Sequence, residues 1–310
     1  MPLSIEFQQK TFKNTRRELN QFEEIALELR RDVIKSLYLA KSGHSGGSLG
    51  TADIFSILYF GGVMRYDPQN WKWDKRDRFV LSAGHLAPIL YSTLARAGFF
   101  PVEELKTLRK IGSRLQGHPG YDMELPGIET STASLGQGVS ISVGMALSHK
   151  YLDKTDQRVF TLTGDGELEE GSVWEAAMAA GFYKLNNLCW IVDNNDCQID
   201  GRVKDVMSVY PLIDKFRAFN FDVIEIDGHS YHQILNAFDY FIDHSSDPNN
   251  KPICIIAHTL MGRGVSFMED NYKWHGNPPN EEQTIHALKE FDEFEKKIKS
   301  TNVKFQMEKQ

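Results

Sequence analysis

Two short motifs, separated by 30 residues, constrain the fold of this chain more than any other feature. The first is the glycine-aspartate-glycine turn that ends the run 159–166, and the second is the asparagine pair within 191–196. Each motif follows an apolar run rich in β-branched residues, which is typical of a buried parallel strand. The alanine-rich segment 172–185 between them predicts a helix packed on a sheet. The order strand, turn, helix, strand therefore places both motifs at the same edge of a parallel sheet.

The residues at that edge are suited to bind a divalent cation and a phosphate group. Asp165 and Asn195 would supply one anionic and one neutral oxygen ligand, and a backbone carbonyl after Asn195 would add a third. So few protein ligands cannot enclose Ca²⁺, but they suit Mg²⁺, which completes its octahedron with water and phosphate oxygens. Gly164 and Gly166 let the backbone approach a diphosphate, whose charge the following helix N-terminus favours. The alternative is an ordinary strand-to-helix turn with a surface aspartate, because glycine-rich turns are common.

The two motifs together resemble the thiamine-diphosphate signature, and the residues around them resemble transketolase. Segment 167–176 (ELEEGSVWEA) is similar to the sequence that follows this turn in transketolases, and 195–201 (NDCQIDG) is similar to their metal loop. The resemblance implies thiamine diphosphate and Mg²⁺ as cofactors. It implies metal ligation by Asp165, Asn195 and the Cys197 carbonyl, and cofactor contacts from Gly164, Gly166, Asn195 and Glu170. Glu170 and Glu175 also match acidic positions that link paired sites across an interface in the family.

Four histidines in turns or loops are the candidate catalytic residues: His44, His85, His118 and His275. His85 follows a predicted strand at 77–82 and lies at a helix N-terminus, where the helix dipole disfavours the imidazolium form. Each histidine also has an ordinary interpretation as a turn or capping residue. The resemblance to transketolases implies that all four transfer protons or bind sugar hydroxyls, and that His85 and His275 also contact the cofactor.

The segment 132–138 (TASLGQG) opens a predicted helix that ends near Leu152. Its small residues allow a ligand to approach the backbone closely. The matching transketolase segment lines the cofactor, which implies contacts from Ala133, Ser134 and Leu135. Transketolases usually have Gly-Pro where this chain has Ala133-Ser134, so the local contact departs from the family pattern.

Alternating strands and helices predict an α/β fold. By resemblance it is the thiamine-diphosphate-binding fold, with a mostly parallel sheet flanked by helices on both faces. The glycine-rich stretch 43–50 predicts no regular structure, and 262–279 predicts a long loop. Further strands are predicted at 77–82, 221–226 and 252–257, and helices at 17–41, from Thr51 onward, and at 101–111, 210–219, 231–244 and 281–299. We expect three parts: an N-terminal arm (1–16), a diphosphate-binding α/β domain (17–280), and a C-terminal helix with a solvated tail (281–310).

Composition and charge exclude several classes of function. A net charge of −7, a pI near 5.8 and the absence of a long basic run argue against nucleic acid or anionic membranes as principal partners. No apolar run approaches the ~20 residues of a membrane span, and the N-terminus lacks the pattern of a secretion signal. The three cysteines show no C-x-x-C spacing and fit reduced thiols. We therefore expect a soluble, cytoplasmic protein.

The resemblance covers nearly all of this chain but only the first, diphosphate-binding half of a transketolase. In the family, the second half carries the glutamate and the aromatic pocket that hold the aminopyrimidine ring, and no second α/β unit fits after residue 281. The resemblance thus implies the N-terminal subunit of a split transketolase, inactive until it joins a C-terminal subunit, in an α2β2 assembly. The pair would transfer a two-carbon ketol unit from a ketose, or its phosphate, to an aldose, either in the pentose phosphate route or on unusual ketoses.

The sequence leaves three alternatives open. The first is a subunit of another thiamine-diphosphate enzyme, similar to deoxyxylulose-phosphate synthase or to the α subunit of a 2-oxoacid dehydrogenase. The second is a transketolase subunit for a non-phosphorylated or modified ketose. The third is a non-catalytic protein with a decayed fold, against which the intact Asp165 and Asn195 argue. The WHGNPP loop (274–279) and the four histidines favour transketolase, because sugar hydroxyls need more hydrogen-bonding partners than pyruvate does.

Overall fold

A five-stranded parallel sheet forms the centre of the computed structural model, which describes residues 3–15 and 18–307, with side chains up to residue 300. The strands, including the two of a small ribbon (β4 and β5), are β1 Arg78–Leu81, β2 Val159–Gly164, β3 Leu188–Asn194, β4 Cys197–Gln198, β5 Gly201–Arg202, β6 Asp222–Asp227 and β7 Ile253–His258. The order across the main sheet is β1-β2-β3-β7-β6, and every neighbouring pair is parallel. Strand β3 (LCWIVDN) is buried at every position, as is typical of a strand covered on both faces.

Helices cover both faces of this sheet. The α-helices are α1 Leu19–Ala40, α2 Gly46–Gly50, α3 Ala52–Phe60, α4 Ala87–Ala97, α5 Gln137–Leu147, α6 Gly171–Phe182, α7 Val203–Val206, α8 Leu212–Ala218, α9 Tyr231–His244 and α10 Glu281–Met307. Because successive strand residues point to opposite faces, Phe160 and Ile191 pack with α1, α3, α4, α9 and α10, whereas Val159 and Trp190 pack with α5, α6 and α8. The predicted α/β fold, with a mostly parallel sheet flanked by helices on both faces, is confirmed.

Most of the predicted elements are present at their predicted positions. The strands predicted at 77–82, 221–226 and 252–257 each match an observed strand to within one residue at either end. The helix predicted to open at 132–138 and to end near Leu152 is α5, which continues into a π-helical turn over Ser148–Asp153. Short apolar runs bounded by turn residues were sufficient to place these strands.

Two local predictions were wrong. The glycine-rich stretch 43–50 contains a helix, α2, where no regular structure was expected. A Cβ at Gly46 would lie 2.5 Å from Met261 Cγ, so glycine serves close packing here rather than irregular backbone. The helix predicted at 101–111 is only a 3₁₀ segment, Val102–Thr107.

The C-terminal helix is longer than predicted. Helix α10 continues past residue 299 to Met307, so most of the expected irregular tail is helical, while 308–310 lie outside the described residues. It packs on α1, where Arg31 pairs with Asp292 and Glu295. Residues 1, 2 and 16 of the predicted arm also lie outside the described residues. The boundaries of the three predicted parts stay a prediction.

Within residues 3–15 and 18–307, no helix combines the length and the apolar character that a membrane crossing requires.

Candidate active site

The two motifs meet at the carboxyl edge of the sheet, as parallel strand ends should. Asp165 directly follows β2, and Asn195 directly follows β3. The Asp165 Oδ2 atom accepts a hydrogen bond from the Asp196 amide at 2.6 Å, and Oδ1 accepts one from the Gly166 amide at 2.9 Å. Each carboxylate oxygen retains a lone pair for a further ligand. The loop after β3 is therefore tied directly to the carboxylate at the end of β2.

The Asn195 side chain is oriented by two hydrogen bonds. Its Nδ2 donates to Asp193 Oδ2 at 2.8 Å, and its Oδ1 accepts from the Cys197 amide at 2.9 Å. Between them, Asp196 has a left-handed backbone with φ of 56°. Aspartate tolerates this conformation better than most residues, and such strain is concentrated at functional sites. The turn brings the Asp196 amide to Asp165 and the Cys197 amide to Asn195.

The electrostatics of this edge favour a bound cation. Burial, followed by the nearby Asp193, raises the pKa of Asp165 well above its ordinary value. Burial also raises the pKa of Asp193 to about 6, although hydrogen bonds from Thr259 and Asn195 oppose this. A divalent cation beside Asp165 would relieve the repulsion between these buried carboxyl groups. Two carboxylates, an amide oxygen and backbone carbonyls form a hard oxygen donor set that fits Mg²⁺.

No group of three or more histidine, cysteine, aspartate or glutamate side chains in the described part of the chain is arranged to hold a metal. The predicted ligand set does not need such a group, because it combines the Asp165 carboxylate with an amide oxygen from Asn195 and the Cys197 carbonyl. The backbone at the first glycine also leaves room for a ligand. A Cβ built at Gly164 would have no neighbouring atom within 4 Å.

A cavity of about 320 Å³ opens beside these residues. Most of the predicted site residues line it: His44, His85, His118, His275, Ala133, Leu135, Gly164, Asp165, Gly166, Glu170, Asn195 and Cys197. Ser134 does not, and instead lines a shallow neighbouring depression together with His118 and Ala133. One cavity therefore unites the four histidines, the two glycines and the predicted metal ligands.

The four histidines form one cluster, although they come from four separate segments. The ring centres of His44 and His85 are 5.0 Å apart, those of His44 and His275 are 5.6 Å apart, and those of His85 and His275 are 5.0 Å apart. His118 lies at the edge, 6.4 Å from His44. The predicted loop at 262–279 brings His275 into this cluster from the far end of the chain.

The cluster is held in the neutral state. Burial, with the neighbouring rings of His275 and His118, lowers the pKa of His44 to about 4. Burial and its histidine neighbours also lower the pKa of His85 well below the ordinary value, and burial lowers the pKa of both His118 and His275. Neutral imidazoles both donate and accept hydrogen bonds, so near pH 7 they suit sugar hydroxyls and proton transfer.

Two nitrogens of the cluster point to a polar ligand. In the part of the chain that the structure describes, the buried Nδ1 atoms of His44 and His275 have no hydrogen-bond partner. A buried polar atom without a partner is costly unless something binds it. The backbone of Cys197 holds the ring of His275 by a hydrogen bond. His275 therefore connects the predicted metal loop to the histidine cluster.

Sequence reasoning missed several residues that line the cavity. Glu167, Glu169, Asp193, Ile199 and Met261 all do so. Three of them had a signal in the motifs, because they lie next to the glycine turn or the asparagine pair. Met261 had no local signal, since only the fold brings it against Gly46.

Two further histidines at strand ends serve other contacts. His229 Nδ1 lies 2.7 Å from Asp53, whose carboxylate also pairs with the buried Arg30. His229 Nε2 accepts a hydrogen bond from the Leu260 amide at 2.7 Å. His258 lies 2.7 Å from Glu225 on the neighbouring strand. Neither histidine lines the cavity.

Comparison with known proteins defines the class of the site. The family described as transketolase, thiamine diphosphate binding domain, matches residues 23–305. A parallel sheet with an Asp-Asn pair and neutral histidines at its carboxyl edge is therefore a thiamine-diphosphate-binding enzyme domain.

Individual relatives narrow this class. One of the two subunits of apulose-4-phosphate transketolase from Phocaeicola vulgatus is 44% identical over 273 residues, covering 88% of this chain and 94% of the relative. A subunit of 6-deoxy-6-sulfo-D-fructose transketolase from Clostridium sp. is 40% identical, covering 87% of this chain and 98% of the relative. The transketolase structure from Leishmania mexicana superposes with a TM-score of 0.80 at 31% identity, covering 89% of this chain and 42% of that one.

The chain belongs to the transketolase family and corresponds to its N-terminal, diphosphate-binding part. The predicted resemblance to the N-terminal subunit of a split transketolase is confirmed by the two subunit relatives, which the chain matches along nearly their whole length. The predicted enzyme class, a transferase of the transketolase type, is confirmed as well.

Proposed function

We propose that this chain binds thiamine diphosphate and, together with a separate C-terminal subunit, transfers a two-carbon ketol unit from a ketose to an aldose. The observation that carries the proposal is the single cavity in which four neutral histidines lie beside Asp165 and Asn195. A diphosphate anchor and a set of partners for sugar hydroxyls are the two requirements of this reaction on this side of the site.

The predicted metal is Mg²⁺, held by the Asp165 carboxylate, the Asn195 amide oxygen and the Cys197 carbonyl. Hydrogen bonds from the Asp196 and Cys197 amides fix the first two groups in place. Gly164 and Gly166 would lie against the diphosphate. When bound, the cofactor supplies an electron sink for cleavage of a carbon–carbon bond next to a carbonyl.

The chain's own contribution to the chemistry is hydrogen bonding and proton movement by the histidine cluster. The unpaired Nδ1 atoms of His44 and His275 are available to hydroxyl groups or protons of a sugar. The pKa of His44, lowered to about 4 by burial, keeps its ring able to accept a proton at neutral pH. His85 and His118 extend this set toward the two sides of the cavity.

A face of the molecule next to the site supports the proposed partner. Helices α5 and α6 pack side by side, and their outer surfaces expose Ile141, Met178 and Phe182, the last at 77% exposure. Glu175 is exposed on the same side of α6, one helical turn from Met178. A contiguous exposed apolar surface of this kind is typical of an interface. We propose that it contributes to an α2β2 assembly.

The sugar is proposed at the level of its class. The two subunit relatives are named for apulose 4-phosphate and 6-deoxy-6-sulfo-D-fructose, which are modified ketoses. We therefore propose ketose phosphates and modified ketoses together as the donor class. The pentose phosphate route and a cytoplasmic location stay predictions.

Co-expression with a candidate C-terminal subunit tests the proposal. Two-carbon transfer to ribose 5-phosphate would be measured from xylulose 5-phosphate and from modified ketoses, with Mg²⁺ and thiamine diphosphate present. Each chain alone is the control, and we expect activity only in the mixture. Turnover of pyruvate instead of ketoses would favour the 2-oxoacid or deoxyxylulose-phosphate alternatives. An assembled pair that binds no cofactor would contradict the proposal.

A further inference from the structure

Glu167 is a buried acid outside the metal-binding and histidine groups of the site. It is only 2% exposed and lines the cavity. Its Oε1 atom accepts hydrogen bonds from Ser82 Oγ at 2.5 Å and from the Gly136 amide at 2.8 Å. Its Oε2 atom accepts one from the Gly164 amide at 3.3 Å. One carboxyl group thus connects three segments that are distant in the sequence.

Ser82 extends this connection into helix α5. Its hydroxyl oxygen accepts a hydrogen bond from the Val139 amide at 2.9 Å while the hydroxyl donates to Glu167. A Cβ at Gly138 would lie 2.7 Å from Ser82 Cα, so the first turn of α5 rests directly on the end of β1. Because a hydroxyl carries one proton, this arrangement requires an acceptor at the position of Glu167 Oε1.

Each connected segment carries a residue of the proposed cofactor site. Ser82 precedes His85 on the way from β1 to α4. Gly136 follows Leu135 at the entrance to α5, and Gly164 belongs to the glycine turn itself. The relative positions of these backbones at the cavity wall therefore depend on one side chain.

We propose that Glu167 is a positioning residue that fixes the spacing of these three segments and so shapes the diphosphate-binding edge of the cavity. The identity of the ligand rests on the proposed function, whereas the hydrogen bonds themselves do not. A carboxylate suits the position because both of its oxygens accept hydrogen bonds, while glutamine offers one acceptor oxygen and alanine offers none.

Hydrogen exchange at single amides of the isolated chain tests the connection without any ligand. Glu167→Gln keeps an acceptor for Ser82 and Gly136 but presents an NH₂ group to the Gly164 amide. We expect exchange at Gly164 to rise by about tenfold or more, and exchange at Gly136 to change by less than about threefold. Glu167→Ala should accelerate exchange at both amides.

Two matched variants separate this effect from general loosening. Ser82→Ala removes the acceptor of the Val139 amide and leaves the Gly164 bond in place, so only the former should exchange faster. Glu282→Gln, an exposed change on α10, should alter neither amide. Exchange at Val192, inside β3, should be unchanged in every variant. Uniform acceleration that includes Val192 in Glu167→Gln would overturn the proposal.

Cofactor affinity tests the functional consequence. For the chain assembled with its partner, calorimetry should give a dissociation constant for Mg²⁺ and thiamine diphosphate that is about tenfold higher in Glu167→Gln than in wild type. Unchanged exchange at Gly164 in this variant would overturn the connection. Faster exchange with unchanged affinity would overturn its role at the diphosphate. If the wild-type assembly binds no cofactor, the proposed function fails, and the exchange pattern alone decides whether Glu167 positions the segments.

Discussion

At the scale of single residues, Asp165 is held in a state that suits a metal better than it suits the free protein. Burial and Asp193 both raise its pKa, while the Asp196 and Gly166 amides hold its two oxygens. A cation removes the conflict between burial and charge, so loss of the charge should affect binding more than folding.

We expect Asp165→Asn to abolish Mg²⁺-dependent binding of thiamine diphosphate. The free energy of unfolding without ligand should change by less than about 2 kcal/mol, because one lost hydrogen bond is offset by relief of the repulsion with Asp193. Calorimetry and denaturant unfolding measure the two effects. Asp205→Asn, an exposed change, is the control and should leave both unaltered. Retained tight binding in Asp165→Asn would remove Asp165 from the ligand set.

The neutral histidine cluster predicts a pH dependence of stability. The pKa of His44 is about 4 in the folded chain against an ordinary 6.5, mainly through burial, so between these values the unfolded chain binds more protons. Stability is therefore complete above about pH 6.5 and is lost as the pH falls toward 4. From pH 7 to pH 5, His44→Gln should reduce the loss of unfolding free energy by about 1–2 kcal/mol, after allowance for partial solvent screening.

Denaturant unfolding at several pH values measures this effect. His232→Gln, a change of an exposed histidine on α9, is the matched control. An identical pH dependence in His44→Gln and wild type would show that His44 is not held neutral by its surroundings.

At the scale of elements, glycine was the residue most easily misinterpreted from the sequence. The sequence predicted β2, β3 and the site at their ends because each depends on a contiguous pattern. It failed at α2 because the glycines there serve contacts with Met261 and Leu86, which only the fold brings near. Glu167 was missed for the same reason, since its three partners lie in separate segments.

Two glycine substitutions should have opposite effects on stability. A Cβ at Gly84 would lie 2.8 Å from the Thr132 backbone oxygen, so Gly84→Ala should destabilise the chain by about 1–3 kcal/mol. A Cβ at Gly144, inside α5, would meet no atom within 4 Å, so Gly144→Ala should stabilise it by about 0.5–1 kcal/mol. Denaturant unfolding of the isolated chain measures both changes. Equal effects would show that packing does not govern these positions.

At the scale of the whole molecule, the exposed face of α5 and α6 bears on assembly. Met178 is 59% exposed and Phe182 is 77% exposed, one helical turn apart. Met178→Glu with Phe182→Glu should weaken assembly with the C-terminal subunit by about 3 kcal/mol or more, since each places a charge in an apolar contact. Ile111→Glu, at an exposed position elsewhere, should leave assembly intact. Sedimentation velocity distinguishes the outcomes, and full assembly of the double variant would exclude this face.

The extent of the fold was predictable from the sequence, but the packing of its C-terminal end was not. Strong charge along 281–299 indicated a solvated helix, yet Phe291 is buried and Arg31 of α1 pairs across the contact. Long-range ion pairs of this kind leave no periodic trace in the sequence. The family resemblance supplied the cavity's chemistry because its motifs are local.

Anomalous diffraction from crystals of the assembled protein, with thiamine diphosphate and with Mn²⁺ in place of Mg²⁺, would locate the metal and the diphosphate directly. We predict one strong peak at the carboxyl edge of the sheet, within coordination distance of Asp165, Asn195 and the Cys197 carbonyl. The diphosphate should complete the coordination from the side of Gly164. A metal bound elsewhere, or a diphosphate away from this edge, would contradict the proposed site.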